Sequence, residues 1–503
     1  MKWMHRLKSS YGAPFLLLVC SVYWTQGFRS FAWTGISYQM KDELRLSPSL
    51  SQFVISVVFI PWSIKPIYGI LSDCVPIGGR RRVPYLIIAS ILSFVPWFLL
   101  GYFEALRASY IYLMVLITSQ NFGAAMADVV VDAMVAEKAR EESAEYSGDL
   151  QSLSWLAMAF GGILGSVSGG LCLAVLKVKG IFLLFSIFPL LQLVSCIFIH
   201  EKSASQMAIV NNEVLEGAQH ITRDSSTADK QYDNSSHGVS TNVEGLRKRK
   251  AASPQEVISR LPKSLDGIEA PLQSQRGLFH DLQTTLQALW RAVKQPDIIQ
   301  PMLWFLISQS VVPNLSTVMF YYQTNHLHMN SSFLGTSRVV GWGGLMCGTF
   351  FYNRYLKHVP LRKTFWWVHV GLTVLTLIDI ILVLEFNSYL GIPDKAFVLG
   401  LSALGDAVSQ FKFMPFLVLS GQLCPPGIEG TLFALFMSVN NFGSTLSSFA
   451  GGSLASVLHI SSENFDNLAL GIFLQAACTL VPIFFLFLIP ATATGAAHDE
   501  HQA

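Results

Sequence analysis

Charged residues are scarce in this chain of 503 residues: Asp, Glu, Lys and Arg together make up 13%, against 51% hydrophobic residues. Soluble proteins carry about 25% charged residues. So little charge excludes an ordinary cytosolic enzyme of this length. The charges are also unevenly placed, because 23 of the 66 lie between positions 200 and 296. The composition therefore predicts a membrane protein with one polar insert.

Motifs for metals, cofactors and catalysis are lacking as well. The seven cysteines are scattered through mostly apolar stretches, without a CxxC pair or the spacing of a metal site, so we interpret them as small hydrophobic residues. No HExxH sequence or phosphate-binding glycine loop is found, and we expect neither an enzyme nor an ATP-driven pump. We also expect no metal and no cofactor. A net charge of +2 gives no signature of nucleic-acid binding.

Apolar stretches recur along the chain at about the 20-residue length that a helix needs to cross a bilayer. We predict twelve of them, six on each side of the insert. Numbered as spans 1 to 12, they cover 13–35, 52–72, 84–103, 110–134, 149–173, 180–199, 298–322, 333–353, 364–386, 395–419, 430–457 and 469–490. The expected fold class is an all-α membrane protein with an N-terminal half (1–199), a cytosolic linker (200–296), a C-terminal half (297–490) and a cytosolic tail (491–503).

The insert is rich in Ser, Asn, Gln, Asp and Lys and poor in aromatic residues, a composition typical of a disordered linker. We interpret its basic run at 247–250 as a solvated or lipid-facing loop, with a localisation signal as the alternative. Apolar residues at helical spacing over 278–293 predict an amphipathic helix at the membrane interface.

The basic residues set the expected orientation. With the N-terminus inside, the short inner loops hold twelve Lys and Arg residues and the outer loops hold six. The positive-inside rule therefore predicts that both termini and the insert are cytosolic. The identity of the membrane does not follow from this argument.

Spans 5 and 11 share a pattern of glycines. The matching positions are Gly148, Gly161, Gly169 and Gly170 in span 5, and Gly430, Gly443, Gly451 and Gly452 in span 11. Each pair is separated by 282 residues. Several matches at one offset between equivalent spans indicate a six-plus-six duplication, which is typical of transporters whose site lies between two pseudo-symmetric halves.

A glycine, an acid and three arginines lie between spans 2 and 3. They are Gly69, Asp73, Arg80, Arg81 and Arg82. We expect Gly69 to allow close approach of two helices and Asp73 to end a helix where the arginines bridge to it. Such a clasp would form a cytosolic gate, and the alternative is a plain positive-inside loop. The spacing resembles the loop motif of the major facilitator superfamily.

Further sequence strings resemble one branch of that superfamily, the folate–biopterin transporters, with the plant members most similar. The strings cover 41–44, 61–69, 127–133, 413–415 and 424–430. They lie in both halves and leave out the insert. The resemblance implies the major facilitator fold, with twelve helices in two pseudo-symmetric halves, and secondary transport of folates or pterins coupled to protons. We expect a monomer in the lipid bilayer.

Charges inside the predicted spans are expected to mark the transport path, since each costs several kcal/mol unless it is paired or hydrated. The candidates for substrate binding or coupling are Arg29, Lys65, Asp128, Asp132, Asp406 and Lys412. All except Lys65 fall on spans 1, 4 and 10, which line the cavity in the resembled fold. Arg29 or Lys412 can meet the carboxylates of a folate tail. Asp128 or Asp406 can accept hydrogen bonds from the pterin ring.

Asp128 and Asp132 lie one helical turn apart, near the depth of Lys65. A carboxylate held between another carboxylate and a lysine can be protonated in one conformation and ionised in another. We therefore predict Asp128 as the coupling site with Lys65 as its partner, and Asp406 as the main rival. The alternatives are a purely structural Lys65–Asp128 pair and a helix-capping role for Asp132.

Three aromatic residues of span 1, Trp24, Phe28 and Trp33, can stack on a pterin ring, with packing or lipid contact as the alternative. Polar residues of span 7, including Gln309, can offer hydrogen bonds. The alternative function is a carrier of the same fold for another small organic solute, such as a sugar, a nucleoside or a peptide.

Overall fold

The computed structural model describes residues 2–141, 144–199, 201, 283, 286–287, 289–422 and 429–491. Side chains within 139–149, at 151 and within 421–430 are outside that description, as are those of residues 2–4. The predictions for the linker, its basic run at 247–250 and the string at 424–428 therefore lie outside the described residues. In the stretch predicted as an amphipathic helix, positions 283, 286–287 and 289–293 are helical.

The chain is helical at every predicted span, which confirms the all-α fold class. On the N-terminal side the helices are Lys2–Tyr11, Ala13–Tyr38, Pro48–Phe59, Lys65–Cys74, Val83–Tyr102, Glu104–Arg107, Tyr110–Glu141 and Ala144–Ile197. On the C-terminal side they are Pro296–Ser310, Ser316–Tyr321, Ser331–Phe351, Leu361–Val383, Phe386–Tyr389, Asp394–Gln422, Glu429–Val457 and Leu468–Leu480, the last followed by the 3₁₀ segment Val481–Leu488.

Six helices of the described residues are long and apolar enough to cross a membrane by composition alone. They account for seven spans, because the stretch 152–197 contains both span 5 and span 6. Two helices meet there at a kink at Lys177 (φ 54°, ψ 177°), so the connection between these spans is shorter than the predicted 174–179. The other five spans are helical but more polar or interrupted.

Two spans are broken where a continuous helix was expected. Span 2 contains the 3₁₀ segment Ile60–Ile64 between its two helices. Span 7 leaves the helix over 311–315, next to Pro313. Proline lacks a backbone N–H and its ring collides with the preceding turn, so it interrupts the helical hydrogen-bond ladder. Interrupted helices at membrane depth are typical of transporters, because the backbone groups that they free can line a site.

Local irregularities repeat in the two halves, which confirms the duplication. The short helices Glu104–Arg107 and Phe386–Tyr389 lie between equivalent spans at an offset of 282 residues. The outer ends of spans 1 and 7 carry the π-helical turns Gln39–Glu43 and Tyr322–His326. Features this local would not recur at nearly one offset by chance.

The repeated glycines make equivalent contacts between the halves. A Cβ on Gly170 of span 5 would lie 2.5 Å from the carbonyl oxygen of Ser331 at the start of span 8. A Cβ on Gly452 of span 11 would lie 3.2 Å from the carbonyl oxygen of Ser49 at the start of span 2. Each half therefore packs its fifth helix against the second helix of the other half.

Four clusters of buried apolar side chains hold the helices together, two in each half. In the N-terminal half one contains Leu86 and Val130 and the other contains Phe31 and Trp97. In the C-terminal half one contains Trp304 and the other surrounds Tyr322 and Leu468. The core thus lies within each helix bundle, and polar groups are left for the space between the bundles.

We name the side of the membrane on which Arg82 lies, predicted to be cytosolic, the inner side. On the opposite, outer side the two halves are joined. The hydroxyl of Tyr321 donates to the carbonyl of Leu46 at 3.0 Å and lies 2.8 Å from Ser51 Oγ. Lys41 Nζ donates to Asn325 Oδ1 at 3.1 Å. The outer ends of spans 1, 2 and 7 are therefore closed on one another.

A pair of adjacent glycines tests the close contact between spans 8 and 10. A Cβ on Gly344 would lie 2.1 Å from the carbonyl oxygen of Ala403, whereas one on Gly343 meets nothing within 4 Å. Gly344→Ala should lower the apparent melting temperature in detergent, because overpacking costs about 1–3 kcal/mol. Gly343→Ala should leave it unchanged or raise it, since Ala is the better helix former. Equal melting of both variants would contradict this contact.

Candidate functional site

The break in span 2 follows from two prolines, Pro61 and Pro66. Pro66 has no N–H to donate to the carbonyl of Trp62, four residues earlier, so the regular ladder stops. The buried hydroxyl of Tyr68 donates to the carbonyl of Pro61 at 3.0 Å, within the same break. The inner helix then restarts at Lys65.

This restart places Lys65 opposite span 4. Lys65 Nζ lies 2.6 Å from Asp128 Oδ2, and the two side chains are 8% and 18% exposed. Two charges that are largely removed from water persist only when they are paired. The structure therefore brings together the lysine and the aspartate that the sequence analysis paired.

Asp132 has a partner that the sequence analysis missed. The buried Tyr23 of span 1 donates its hydroxyl hydrogen to Asp132 Oδ1. Asp132 itself is exposed. A tyrosine in a long helix gives no signal in the sequence for such a contact, because the partner lies 109 residues away.

Arg29 is buried and held by amides. It donates to Asn121 Oδ1 at 2.5 Å and to Gln26 Oε1 at 3.2 Å. Asn121 Oδ1 also accepts the indole N–H of Trp62 at 2.9 Å. The guanidinium carbon lies 4.9 Å from the Trp62 ring centroid, and Lys65 Nζ is equally distant. Spans 1, 2 and 4 therefore share one polar cluster, which contains both candidate cations of the N-terminal half.

Lys412 is the candidate cation of the C-terminal half, and its hydrogen bonds among the described residues go to neutral groups. It donates to Gln309 Oε1 at 2.7 Å and to the carbonyl of Ser308 at 3.2 Å. Gln309 donates in turn to Ser444 at 3.1 Å. In the part of the chain that the structure describes, Lys412 has no ion-pair partner.

Asp406 is directed towards span 8. The Oδ2 atom of Asp406 lies 2.2 Å from the position that a Cβ on Gly341 would occupy. Arg338, one turn from Gly341 on span 8, interacts with it electrostatically. Asp406 is therefore not part of the cluster around Lys65.

The aromatic residues of span 1 pack against one another and against neighbouring helices. The ring of Trp24 lies 6.0 Å from that of Phe28 and 5.6 Å from that of Phe160, and the ring of Trp33 is stacked at 4.9 Å on Phe59. Phe28 is buried. This arrangement favours the packing alternative for these residues over a pterin platform.

The clasp predicted on the inner side is built by one arginine. Arg82 pairs with Asp73 at 2.5 Å, pairs with Glu137 at the end of span 4, and donates to Ser72 at 2.7 Å. Burial alone would lower the pKa of Arg82, but the two carboxylates raise that pKa above its ordinary value. Arg82 therefore stays charged and links spans 2, 3 and 4.

The other members of the predicted clasp have different roles. A Cβ on Gly69 would make an ordinary 3.6 Å contact with Val129, so close helix approach does not require this glycine. Arg80 is exposed, and Arg81 contributes its backbone N–H to the carboxylate of Glu201. Among the described residues Arg82 alone forms an ion pair with Asp73, so the expected bridging to Asp73 by all three arginines is not found there.

Glu201 is a further inner-side residue that sequence reasoning missed. Its carboxylate accepts the backbone N–H groups of Arg81, Arg82 and Val83, each at 2.8 Å. It thereby caps the helix of span 3, whose first N–H groups have no partner in the helix. The available signal was an acid directly after span 6, which the charge-rich insert obscured.

Comparisons with known proteins identify relatives along nearly the whole chain. The model of the BT1 family matches residues 26–503. The "Probable folate-biopterin transporter 4" of Arabidopsis thaliana is 53% identical over 98% of this chain and 99% of its own length. The "Folate-biopterin transporter" of Synechocystis is 33% identical over 95% of this chain and 82% of its own length.

Solved structures support the fold. A D-xylose–proton symporter superposes with a TM-score of 0.58 at 12% identity, covering 96% of this chain and 98% of its own. A nucleoside transporter gives a TM-score of 0.60 at 11% identity, covering 95% and 99%. At such identities only the fold is shared. With its duplicated helical bundle and its match over residues 26–503, the chain belongs to the BT1 family, the folate–biopterin transporters.

Proposed function

We propose that this transporter carries folates or pterins across a membrane together with protons. The observation that supports the substrate class is its kinship with relatives named for folate and biopterin over almost their full lengths. The observation that supports coupling is the largely buried Lys65–Asp128 ion pair between spans 2 and 4. The alternative is that a carrier of the same fold transports another small organic solute. Uptake of several labelled solutes distinguishes the two.

The charges of the two halves suit a solute with an anionic end. The N-terminal cluster contains two cations and two acids, which balance one another. Lys412 has no acid beside it among the described residues, and its two hydrogen bonds go to neutral oxygens. An ammonium group has three N–H donors, so one remains for a ligand. We assign Lys412 to a carboxylate of the folate tail.

The test is uptake of labelled folate, 5-formyltetrahydrofolate and biopterin into vesicles, with the wild type and with Lys412→Gln. Biopterin lacks the glutamate tail and serves as the internal control. A hydrogen bond to a charged group contributes about 1.5–3 kcal/mol, so Lys412→Gln should raise the folate KM by about 10- to 100-fold. The biopterin KM should change little.

Two results would contradict this assignment. If the wild type takes up none of the three solutes but takes up a sugar, a nucleoside or a peptide, the proposed substrate class is wrong. An equal rise of KM for folate and biopterin in Lys412→Gln would remove the carboxylate role while leaving the substrate class intact.

Coupling requires a group that changes protonation as the carrier changes conformation. We assign this role to Asp128, because its partner Lys65 begins a separate helical segment and can move with it. Asp132 retains a hydrogen bond from Tyr23 and an exposed position, which suits it to an accessory role. Asp406 is the rival, since it lies on span 10 at the middle of its helix.

Asp128→Asn and Asp406→Asn, made separately, distinguish these sites. Asp128→Asn should abolish accumulation driven by a pH gradient and still permit exchange of labelled for unlabelled solute, because a neutral side chain cannot carry the proton. Asp406→Asn should keep the response to the gradient. The assignment moves to Asp406 if that variant alone loses the response, and it fails if Asp128→Asn keeps it.

The clasp of Arg82, Asp73 and Glu137 is proposed to act as the cytosolic gate. It joins three helices of one half, so its opening would change the shape of the inner side without contact to solute. A group that biases the balance of two conformations alters turnover rather than affinity.

Asp73→Asn and Arg82→Gln should both lower the maximal rate of uptake and leave KM within about twofold, with Arg82→Gln the more severe because it loses two carboxylate partners. Arg80→Gln is the matched control, since Arg80 is exposed in the same turn. Measurement of initial rates at several solute concentrations separates the two parameters. A change in KM alone would show that the clasp is no gate.

A further inference from the structure

The carbonyl of Trp62 is bound by a residue from the opposite half. Because position 66 is proline, this carbonyl cannot accept the usual hydrogen bond from the helix. Asn441 of span 11 donates to it from Nδ2 at 3.1 Å. A carbonyl without a partner is costly at membrane depth, so the contact is the expected answer to the break in span 2.

Trp62 also touches the charged cluster with its side chain. Its indole N–H donates to the amide oxygen that holds Arg29, and its ring lies 4.9 Å from both Arg29 and Lys65. A cation beside an aromatic face is attracted to it, and the attraction grows when water is excluded. One residue is thus bound to the C-terminal half by its backbone and to the N-terminal cations by its side chain.

We propose that Asn441 is a positioning residue for coupling, which transmits the position of the C-terminal half to the Lys65–Asp128 pair through Trp62. The proposal rests on the proton-coupled transport proposed above. Asn441 touches neither solute nor proton in this scheme. It holds the 3₁₀ segment Ile60–Ile64, which ends directly before Lys65.

The proposed coupling links the movement of the two halves to Asp128 in a few steps. When the two halves rotate against each other, span 11 moves relative to span 2 and the amide withdraws from the Trp62 carbonyl. The 3₁₀ segment must then change conformation to find that carbonyl another partner. Lys65 begins the next helix, so the change moves its ammonium group away from Asp128. Asp128 then loses its ion-pair partner, and this is the conformation in which the proposed transfer of the proton takes place.

The first test compares Asn441→Asp with Asn440→Asp. Aspartate keeps the size of asparagine and removes the donor, and the neighbouring Asn440, a described residue, makes no side-chain hydrogen bond. Asn441→Asp should reduce accumulation driven by a pH gradient about tenfold and leave solute exchange within about twofold. Asn440→Asp should leave both fluxes near those of the wild type. Equal loss of both fluxes in Asn441→Asp, which a merely structural contact would cause, would overturn the proposal.

Because a new carboxylate at position 441 can itself disturb folding, Asn441→Ala provides a second variant. It is combined with Asp128→Asn in a double-mutant cycle. Because Asp128→Asn alone is expected to abolish gradient-driven accumulation, the cycle is read from the apparent melting temperature. If Asn441 acts through the ion pair, Asn441→Ala should lower that temperature less in Asp128→Asn than in the wild type.

A thermal-unfolding cycle on the purified protein separates failure of this proposal from failure of the proposed function. It uses the same single and double variants and needs no solute. If the wild type transports none of the solutes and the melting shifts of the variants are non-additive, the proposed function is wrong and the link between Asn441 and the ion pair is supported. Additive melting shifts would overturn the link whatever the carrier transports.

Discussion

The two prolines of span 2 determine the arrangement of the site. A helix that lost two N–H donors at membrane depth has to satisfy the freed carbonyls from elsewhere. Here the N–H of Ile60 donates to the carbonyl of Val57, which Pro61 frees, and Asn441 of the opposite half donates to the carbonyl of Trp62, which Pro66 frees. The same break starts a new helix at Lys65, which brings its ammonium group to Asp128.

The polar groups of the two halves are satisfied in different ways, although the halves share one fold. In the N-terminal half Arg29 and Lys65 are bound by amides, an aromatic ring and an acid within three helices. In the C-terminal half the described partners of Lys412 are two neutral oxygens. Duplication thus supplies a common frame, and divergence of a few intramembrane side chains gives each half its own chemistry.

Composition and periodicity were sufficient to predict the number of spans, their approximate limits and the duplication, because an apolar stretch of about 20 residues has few alternatives in a bilayer. They predicted the break between spans 5 and 6 but not its form, a turn at the single residue Lys177. They also missed the interruption of span 7 over 311–315, because hydropathy does not register the missing N–H of Pro313.

The sequence by itself determined which residues carry charge inside the membrane. The free-energy cost of a charge at that depth makes Arg29, Lys65, Asp128 and Lys412 exceptional. Only the tertiary structure decided their partners. Tyr23 meets Asp132 across 109 positions, and Asn441 meets Trp62 across 379. Hydrogen bonds need distances near 3 Å and fixed directions, and helix packing, which no sequence interval encodes, sets both.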